Sequence, residues 1–230
     1  MQLSGVYVPL ITPFTADGGI DLDGVEKLAI DVLDAGAAGL VALGTTGEPA
    51  TLTAAERREV VDICTRVCRT RSKTLIVGAG ASGTAAAVES LRDLPAQADA
   101  ALVTAPSYVR PGEAGTIAHF TALAAASPVP LVVYNVPYRT GQPMGVGTLR
   151  ALATLPGVVG VKHCAGGIDA DTVALLADPP FDVLAGDDVF LSPMLALGAA
   201  GGVLASAHVH TEAFVALADA WRAGDVARAR

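Results

Sequence analysis

The sequence contains few cysteines and few aromatic residues. Its 230 residues include three cysteines, and aromatic side chains account for 4% of the chain. Cys64 and Cys68 are four residues apart in a segment of helical character, whereas Cys164 is distant from both. This spacing predicts neither a disulfide framework nor a zinc site. We therefore interpret the three cysteines as reduced packing residues.

Long apolar runs and clusters of positive charge are also lacking. No stretch of about 18 apolar residues is free of glycine, proline or polar breaks, and the first residues lack the basic region of a signal peptide. The 15 lysines and arginines are scattered, and the formal net charge is −8. Nucleic acids are bound through basic patches that this sequence does not contain. These absences predict a cytoplasmic protein without a membrane or nucleic-acid partner.

Hydrophobic residues make up 52% of the sequence and charged residues 17%, which is enough to form one large core. Short β-branched runs alternate about eight times with stretches rich in alanine, leucine, glutamate and arginine, a rhythm typical of βα units. We predict strands at residues 6–11, 39–44, 74–79, 100–105, 130–135, 157–162, 181–186 and 201–206. We predict helices at residues 21–35, 53–69, 82–94, 112–126, 145–154, 169–177, 188–198 and 211–223.

Eight βα units predict an α/β fold, a single-domain (β/α)8 TIM barrel. The strand runs are continuously apolar, as expected for strands that are covered on both faces. Thr53 with Glu56 predicts a capping box at one helix start, and Asp21 is placed to begin the first helix. A doubly wound open sheet is the alternative, but no GxGxxG sequence follows the first strand.

Lys162 is unusual among the three lysines because it lies in the apolar run GVVGVKHCAGG at residues 157–167. An ammonium group at the end of a buried strand loses hydration, so its pKa falls. The neutral amine can then attack a carbonyl carbon and form a Schiff base. The alternative is a lysine whose long stem lets the charged group reach solvent at the strand end.

Polar residues follow several predicted strands, at the end of a barrel where active sites lie. The turn GTTGE at residues 44–48 can bind a small carboxylate such as pyruvate, or can be an ordinary βα turn. Tyr134 can transfer a proton, or can be a buried aromatic with a satisfied hydroxyl. Arg139 can bind a second carboxylate, or can form a surface salt bridge. The sequence GDD at residues 186–188 follows the seventh strand.

Together these segments resemble the superfamily of dihydrodipicolinate synthase and N-acetylneuraminate lyase, which are Schiff-base aldolases that use pyruvate. The matching stretches occur in the family's order over nearly the whole chain. They are TPFTADGGID (12–21), GTTGEPATLTAAER (44–57), YVRPGEAGTIAHF (108–120), YNVPYRTG (134–141), GVK (160–162) and LAGDD (184–188).

The resemblance implies a set of catalytic residues. Lys162 forms the imine with pyruvate, and loss of a C3 proton gives an enamine that acts as a carbon nucleophile. Tyr134 is the general acid and base. In the synthase branch this phenol belongs to a relay that maps onto Thr45 and onto Tyr108, the latter reaching in from a neighbouring subunit.

The resemblance also implies the substrate contacts. Thr46 binds the pyruvate carboxylate, with the backbone at Val203 close to it. Arg139 binds the carboxylate of the acceptor aldehyde, and Gly186 belongs to the substrate-binding residues. No metal is implied at any of these positions.

The implied activity is a lyase reaction that condenses pyruvate with aspartate semialdehyde to give 4-hydroxy-tetrahydrodipicolinate in lysine and diaminopimelate biosynthesis. The implied enzyme needs no cofactor and is a homo-oligomer, a dimer or a tetramer. Family members continue into further C-terminal helices, whereas this sequence ends at Arg230. We therefore expect residues 1–230 to form the barrel without that helical extension.

Three alternatives remain at the level of the sequence. His163, Cys164 and residues 166–167 depart from the family pattern, which leaves a different acceptor open. The enzyme would then be an aldolase or dehydratase for a 2-keto-3-deoxy-sugar acid, 4-hydroxy-2-oxoglutarate or a sialate. His208 and His210 allow a metal-dependent barrel lyase. A catalytically silent barrel that serves as a binding subunit is the third alternative.

Overall fold

The strands of the protein pair in sequence order and close on themselves, since β1 pairs with β2 on one side and with β8 on the other. The computed structural model describes residues 1–229. All eight neighbouring pairs are parallel. The strands are β1 (Gly5–Pro9), β2 (Gly39–Ala42), β3 (Thr74–Gly78), β4 (Ala100–Thr104), β5 (Leu131–Asn135), β6 (Val158–His163), β7 (Asp182–Ala185) and β8 (Gly201–Val203). The (β/α)8 barrel is confirmed, and the doubly wound alternative is wrong.

Helices follow every strand of this barrel. They are α1 (Leu22–Asp34), α2 (Ala54–Thr70), α3 (Thr84–Arg92), α4 (Gly112–Ala126), α5 (Pro137–Thr140), α6 (Val146–Ala153), α7 (Ala170–Ala177), α8 (Leu191–Ala196), α9 (Thr211–Arg222) and α10 (Val226–Ala229). Asp21 caps α1 by accepting a hydrogen bond from the Gly24 N–H, and Thr53 and Glu56 form the predicted capping box of α2. Within residues 1–229, no helix combines the length and the apolar character that crossing a membrane requires.

Several predicted boundaries were wrong at the carboxyl ends of the strands. The run predicted as a strand at residues 201–206 pairs only as far as Val203, and Ala205–His208 form a 3-10 turn. The helix predicted at residues 188–198 begins as a 3-10 turn and ends at Ala196. Helices α5 and α10 were not predicted. Apolar composition continues past the last paired residue, so it does not mark where the chain leaves the sheet.

Alternation along the strands divides the buried side chains between two cores. Outward side chains such as Val133 and Val161 pack in a large cluster between the sheet and the helices. Inward side chains such as Val132, Tyr134 and Leu184 form a smaller cluster inside the barrel. Because successive residues of a strand point to opposite faces, the residue after Val161 points inward. The fold therefore directs Lys162 into the barrel interior.

Candidate active site

Lys162 lies near the carboxyl end of β6 and is only 4% exposed. Its direct neighbour in the sheet register is Tyr134 of β5. The Lys162 Nζ atom is 4.4 Å from the centre of the Tyr134 ring. Burial lowers the pKa of the Lys162 amine from its ordinary value, because the charged form loses hydration. The site thus contains a buried amine that is biased towards its neutral, nucleophilic form.

The Tyr134 hydroxyl is paired with a second hydroxyl across the barrel mouth. Its oxygen is 3.4 Å from the Thr45 Oγ1 atom, and either group can be the donor. Thr45 begins the 3-10 turn Thr45–Gly47 that follows β2. Burial raises the pKa of the Tyr134 phenol, which therefore stays protonated as a potential proton donor.

A cavity of about 520 Å³ opens at the carboxyl ends of β2, β3, β4 and β5. Its polar lining includes Thr45, Tyr108, Tyr134 and Arg139. Arg139 is exposed in α5, with its guanidinium carbon 5.5 Å from the centre of the Tyr138 ring. A cation and several hydroxyl groups in one cavity suit a ligand that carries a carboxylate and a carbonyl group.

Tyr108 occupies the rim of this cavity rather than its base. Its side chain is 89% exposed, and its backbone adopts a φ angle of 71°. A bulky residue in this left-handed region is uncommon and marks a locally strained turn. Within residues 1–229, the structure leaves the Tyr108 side chain projecting into solvent beside the cavity.

Thr46 and Val203 complete the set of residues singled out by the sequence. Thr46 is half-buried in the same turn as Thr45. Val203 is buried at the end of β8 and belongs to the cluster inside the barrel. Neither of them lines the cavity of about 520 Å³.

Gly186 lies directly after β7 and against two side chains of the β6 segment. A Cβ atom built on Gly186 would lie 2.1 Å from the Cys164 Sγ atom and 2.9 Å from the Lys162 Cε atom. Real Cβ atoms do not approach other atoms this closely. The absence of a side chain at Gly186 therefore leaves the space that Lys162 and Cys164 fill.

Replacing Gly186 by alanine is expected to displace Lys162 or Cys164. The resemblance implies that Lys162 forms a Schiff base with pyruvate, and we expect the rate of that reaction to fall about tenfold or more, since small misplacements of reacting groups are costly. We expect overpacking to destabilise the fold by roughly 1–3 kcal/mol. Borohydride trapping and thermal unfolding measure the two effects. Gly167→Ala is the matched control, because a Cβ atom on Gly167 meets nothing within 4 Å; equal trapping rates in both variants would contradict this steric role.

Cys164 was interpreted from the sequence as a packing residue and as a departure from the family pattern, but its place beside Lys162 inside the barrel was not predicted. Its side chain is buried in the cluster inside the barrel, together with Tyr134. Burial raises the pKa of the Cys164 thiol to about 12, so the thiol is neutral. Strand alternation from Lys162 was the available signal, since residues 162 and 164 point to the same face.

Two carboxylates stand on the β7 side of Lys162. Asp187 accepts a hydrogen bond from the Gly166 N–H at 3.2 Å, and Asp188 accepts one from the Ser206 N–H at 2.8 Å. Their negative charges raise the pKa of the Lys162 amine and so oppose the larger effect of burial. The mouth therefore carries negative charge near β7 and positive charge near β5.

The histidine pair does not have the geometry of a metal site. His208 Nδ1 donates to the Ala205 carbonyl at 2.8 Å, and His208 Nε2 accepts from the Ile11 N–H at 3.2 Å. Both ring nitrogens are thus engaged with the backbone, while His210 is exposed ahead of α9. No group of three potential metal ligands occurs in the described part of the chain. The site residues therefore do not support the metal-dependent alternative.

Comparison with known proteins gives a consistent result. The model of the dihydrodipicolinate synthetase family matches residues 2–230. A 4-hydroxy-tetrahydrodipicolinate synthase from Moorella thermoacetica is 39% identical over 229 residues, covering 98% of this chain and 78% of that protein. A 4-hydroxy-tetrahydrodipicolinate synthase from Methanothrix thermoacetophila is 38% identical, covering 98% and 77%.

Solved structures agree with these sequence matches. The chloride-inhibited dihydrodipicolinate synthase from Acinetobacter baumannii, complexed with pyruvate, superposes with a TM-score of 0.94 at 34% identity. That alignment covers 99% of this chain and 79% of the other. YagE, a prophage protein from E. coli K12 that belongs to the dihydrodipicolinic acid synthase family, gives a TM-score of 0.92 at 31% identity, covering 100% and 78%. Its structure also contains pyruvate.

Proposed function

The chain belongs to the dihydrodipicolinate synthetase family, and from this membership we propose that it condenses pyruvate with aspartate semialdehyde to give 4-hydroxy-tetrahydrodipicolinate. The enzyme is a lyase, and this product belongs to lysine and diaminopimelate biosynthesis. The observation that carries the proposal is the buried Lys162 amine 4.4 Å from the centre of the Tyr134 ring. Residues 1–230 act in this proposal as one catalytic domain.

In the proposed cycle, the neutral amine of Lys162 attacks the C2 carbonyl carbon of pyruvate. Loss of water gives the imine, and removal of a C3 proton gives the enamine. The enamine carbon then forms a bond to the aldehyde carbon of the acceptor, and the aldehyde oxygen takes up a proton. The acceptor amine finally displaces Lys162 from C2, which closes the ring and frees the lysine. One water is released for each pair of substrates.

Tyr134 is the proton carrier of this cycle, since it lines the cavity and its hydroxyl pairs with Thr45. We extend the relay to Tyr108 of a second copy of the chain. The 89% exposure of Tyr108 at the cavity rim supports this assignment, because the side chain is free to reach a neighbour. The active form in this proposal is a homo-oligomer, a dimer or a tetramer.

The pyruvate subsite lies between the 3-10 turn after β2 and the end of β8. We assign Thr46 to the pyruvate carboxylate, with the Val203 backbone beside it. Gly186 leaves the room that the lysine stem needs. We assign the part of the cavity that Arg139 lines to the acceptor.

Arg139 is assigned to the acceptor carboxylate. We expect Arg139→Ala to raise the KM for aspartate semialdehyde about ten-fold to hundred-fold, since a hydrogen bond to a charged group contributes roughly 1.5–3 kcal/mol. The KM for pyruvate should change little. Steady-state kinetics with each substrate varied in turn measure the difference. Arg150→Ala is the control, because Arg150 binds the Ala174 carbonyl on the outer helices; a rise in the pyruvate KM alone would contradict the assignment.

The acceptor itself is tested by a panel of aldehydes with pyruvate held constant. We expect turnover with aspartate semialdehyde to exceed turnover with glyceraldehyde, glyoxylate and N-acetylmannosamine. Faster turnover with one of the other three would show that the acceptor is a sugar-derived or 2-oxo aldehyde. These other aldehydes are included because His163 and Cys164, next to Lys162, depart from the family pattern.

A further inference from the structure

A continuous chain of buried hydrogen bonds lies behind Lys162, on the outer face of β6. Its centre is His163, which is buried and faces the helices while Lys162 faces the barrel interior. The His163 Nδ1 atom is 3.3 Å from the Asn135 Nδ2 atom, and His163 Nε2 is 3.0 Å from the Thr172 Oγ1 atom. The sheet register pairs Asn135 with His163 just as it pairs Tyr134 with Lys162.

Along this series of hydrogen bonds each group donates to the next, from Asn135 to Asp169. The Thr172 hydroxyl donates to the Asp169 Oδ1 atom at 2.8 Å, and so its oxygen is left to accept from His163 Nε2–H. A neutral imidazole with its proton on Nε2 has a bare Nδ1 that accepts from the Asn135 amide. Burial lowers the pKa of His163, against smaller opposing effects of Asp169, Asp187 and Asp171, and so favours this neutral form.

The Asn135 side chain also binds the loop that carries Arg139. Its Nδ2 atom donates to the Met144 carbonyl at 3.1 Å, and its Oδ1 atom accepts from the Met144 N–H at 3.3 Å. Residues 136–145 are therefore fixed at one end by β5 and at the other by the Asn135 side chain. Arg139 lies between these two anchors.

The backbone pairing of β5 and β6 does not depend on His163. The Cys164 N–H donates to the Asn135 carbonyl at 2.8 Å, and the strands are paired along their length. Removing the imidazole would therefore leave Lys162 opposite Tyr134. It would free the Asn135 amide to rotate and weaken its two bonds to Met144.

We propose that His163 is a positioning residue for the acceptor subsite: it orients the Asn135 amide, which holds residues 136–145 and thereby places Arg139 at the cavity rim. The inference rests on the proposed function, because it assumes that Arg139 binds the acceptor. The His163 imidazole lies between Asn135 and Thr172 on the helix side of β6, so it acts through Asn135 and not on the substrate. It was not recognised from the sequence, where it stood out only as a departure from the family pattern.

Two amide variants test the roles of the two ring nitrogens of His163 separately. In His163→Asn the side-chain oxygen takes the place of Nδ1, so the acceptor for Asn135 is kept and the bond to Thr172 is lost. In His163→Gln the amide reaches the place of Nε2, so the bond to Thr172 is kept and the acceptor for Asn135 is lost. Both variants are neutral and close in size, which makes each the control for the other.

We expect His163→Gln to raise the KM for aspartate semialdehyde about tenfold or more, with the KM for pyruvate and the yield of borohydride-trapped adduct unchanged. His163→Asn is expected to stay within about threefold of the unmodified protein in all three quantities. Val32→Ala, buried on α1 away from the site, reports what a loss of stability alone does to the same constants. Thermal unfolding ranks the stability of all variants.

The inference is overturned if the two amide variants show the same acceptor KM, or if His163→Asn shows the larger rise. It is also overturned if the acceptor KM of every variant follows its unfolding temperature, as for Val32→Ala, because His163 would then only stabilise the fold. An unmodified protein that traps no pyruvate and turns over no aspartate semialdehyde would instead refute the proposed function. The two failures are therefore distinguishable.

Discussion

Alanine in place of Lys162 is expected to abolish Schiff-base trapping of pyruvate and to lower the condensation rate by at least about 10⁴-fold, as loss of a covalent nucleophile does. The amine is the reacting atom of the proposed cycle, and no other lysine lies near it: Lys27 is paired with Asp31 on α1, and Lys73 donates to the Ala37 carbonyl. Intact-mass analysis after borohydride treatment and a steady-state assay measure the two losses.

The loss of activity in Lys162→Ala must be distinguished from an effect of misfolding. Lys162→Met keeps most of the stem that packs inside the barrel, and it removes the cost of burying an amine. We expect its unfolding temperature to equal or exceed that of the unmodified protein, while it remains inactive. Lys27→Ala should trap pyruvate normally. Retention of trapping or of condensation in both Lys162 variants would exclude the amine as the nucleophile.

Phenylalanine in place of Tyr134 is expected to reduce kcat by about 10²-fold to 10⁴-fold, the range for loss of a positioned general acid and base. The ring beneath the Lys162 amine remains in this variant, so pyruvate should still be trapped, although more slowly. Stopped-time trapping with borohydride gives the rate of imine formation, and the steady-state assay gives kcat.

Thr45, whose hydroxyl lies beside that of Tyr134, provides the matched control. Thr45→Val removes a hydroxyl that stands 3.4 Å from the Tyr134 oxygen, a distance at which the hydrogen bond is weak. We therefore expect a smaller loss of kcat from Thr45→Val than from Tyr134→Phe. If Tyr134→Phe retained a kcat within about threefold of the unmodified protein, proton transfer would have to be assigned to another group.

The barrel was predictable because the same pattern, an apolar run followed by a helical segment, occurs eight times. Eight apolar runs separated by helical segments leave few ways to cover both faces of every strand, and closure into a barrel is one of them. The ends of the strands were less predictable. Leu43 and Glu48 adopt φ angles of 54° and 52° around the turn after β2, and apolar composition does not encode where such a turn begins.

Part of the candidate site was predicted from a lysine in an apolar strand, where this residue type is rare. A lysine inside an apolar strand is costly unless it is used, and this made Lys162 recognisable without any structure. Its distance from Tyr134 was not predictable, because it depends on the register between β5 and β6. The contact of Gly186 with Cys164 and the bonds around His163 depend in the same way on which strands and helices become neighbours.

The central claim is that Lys162 is the amine that reacts with pyruvate. The most direct test is intact-mass spectrometry of the unmodified protein after treatment with pyruvate and borohydride, followed by peptide mapping of the reduced adduct. Our account predicts one adduct per chain, located on Lys162. A folded sample without an adduct, or with the adduct on Lys27 or Lys73, would contradict it.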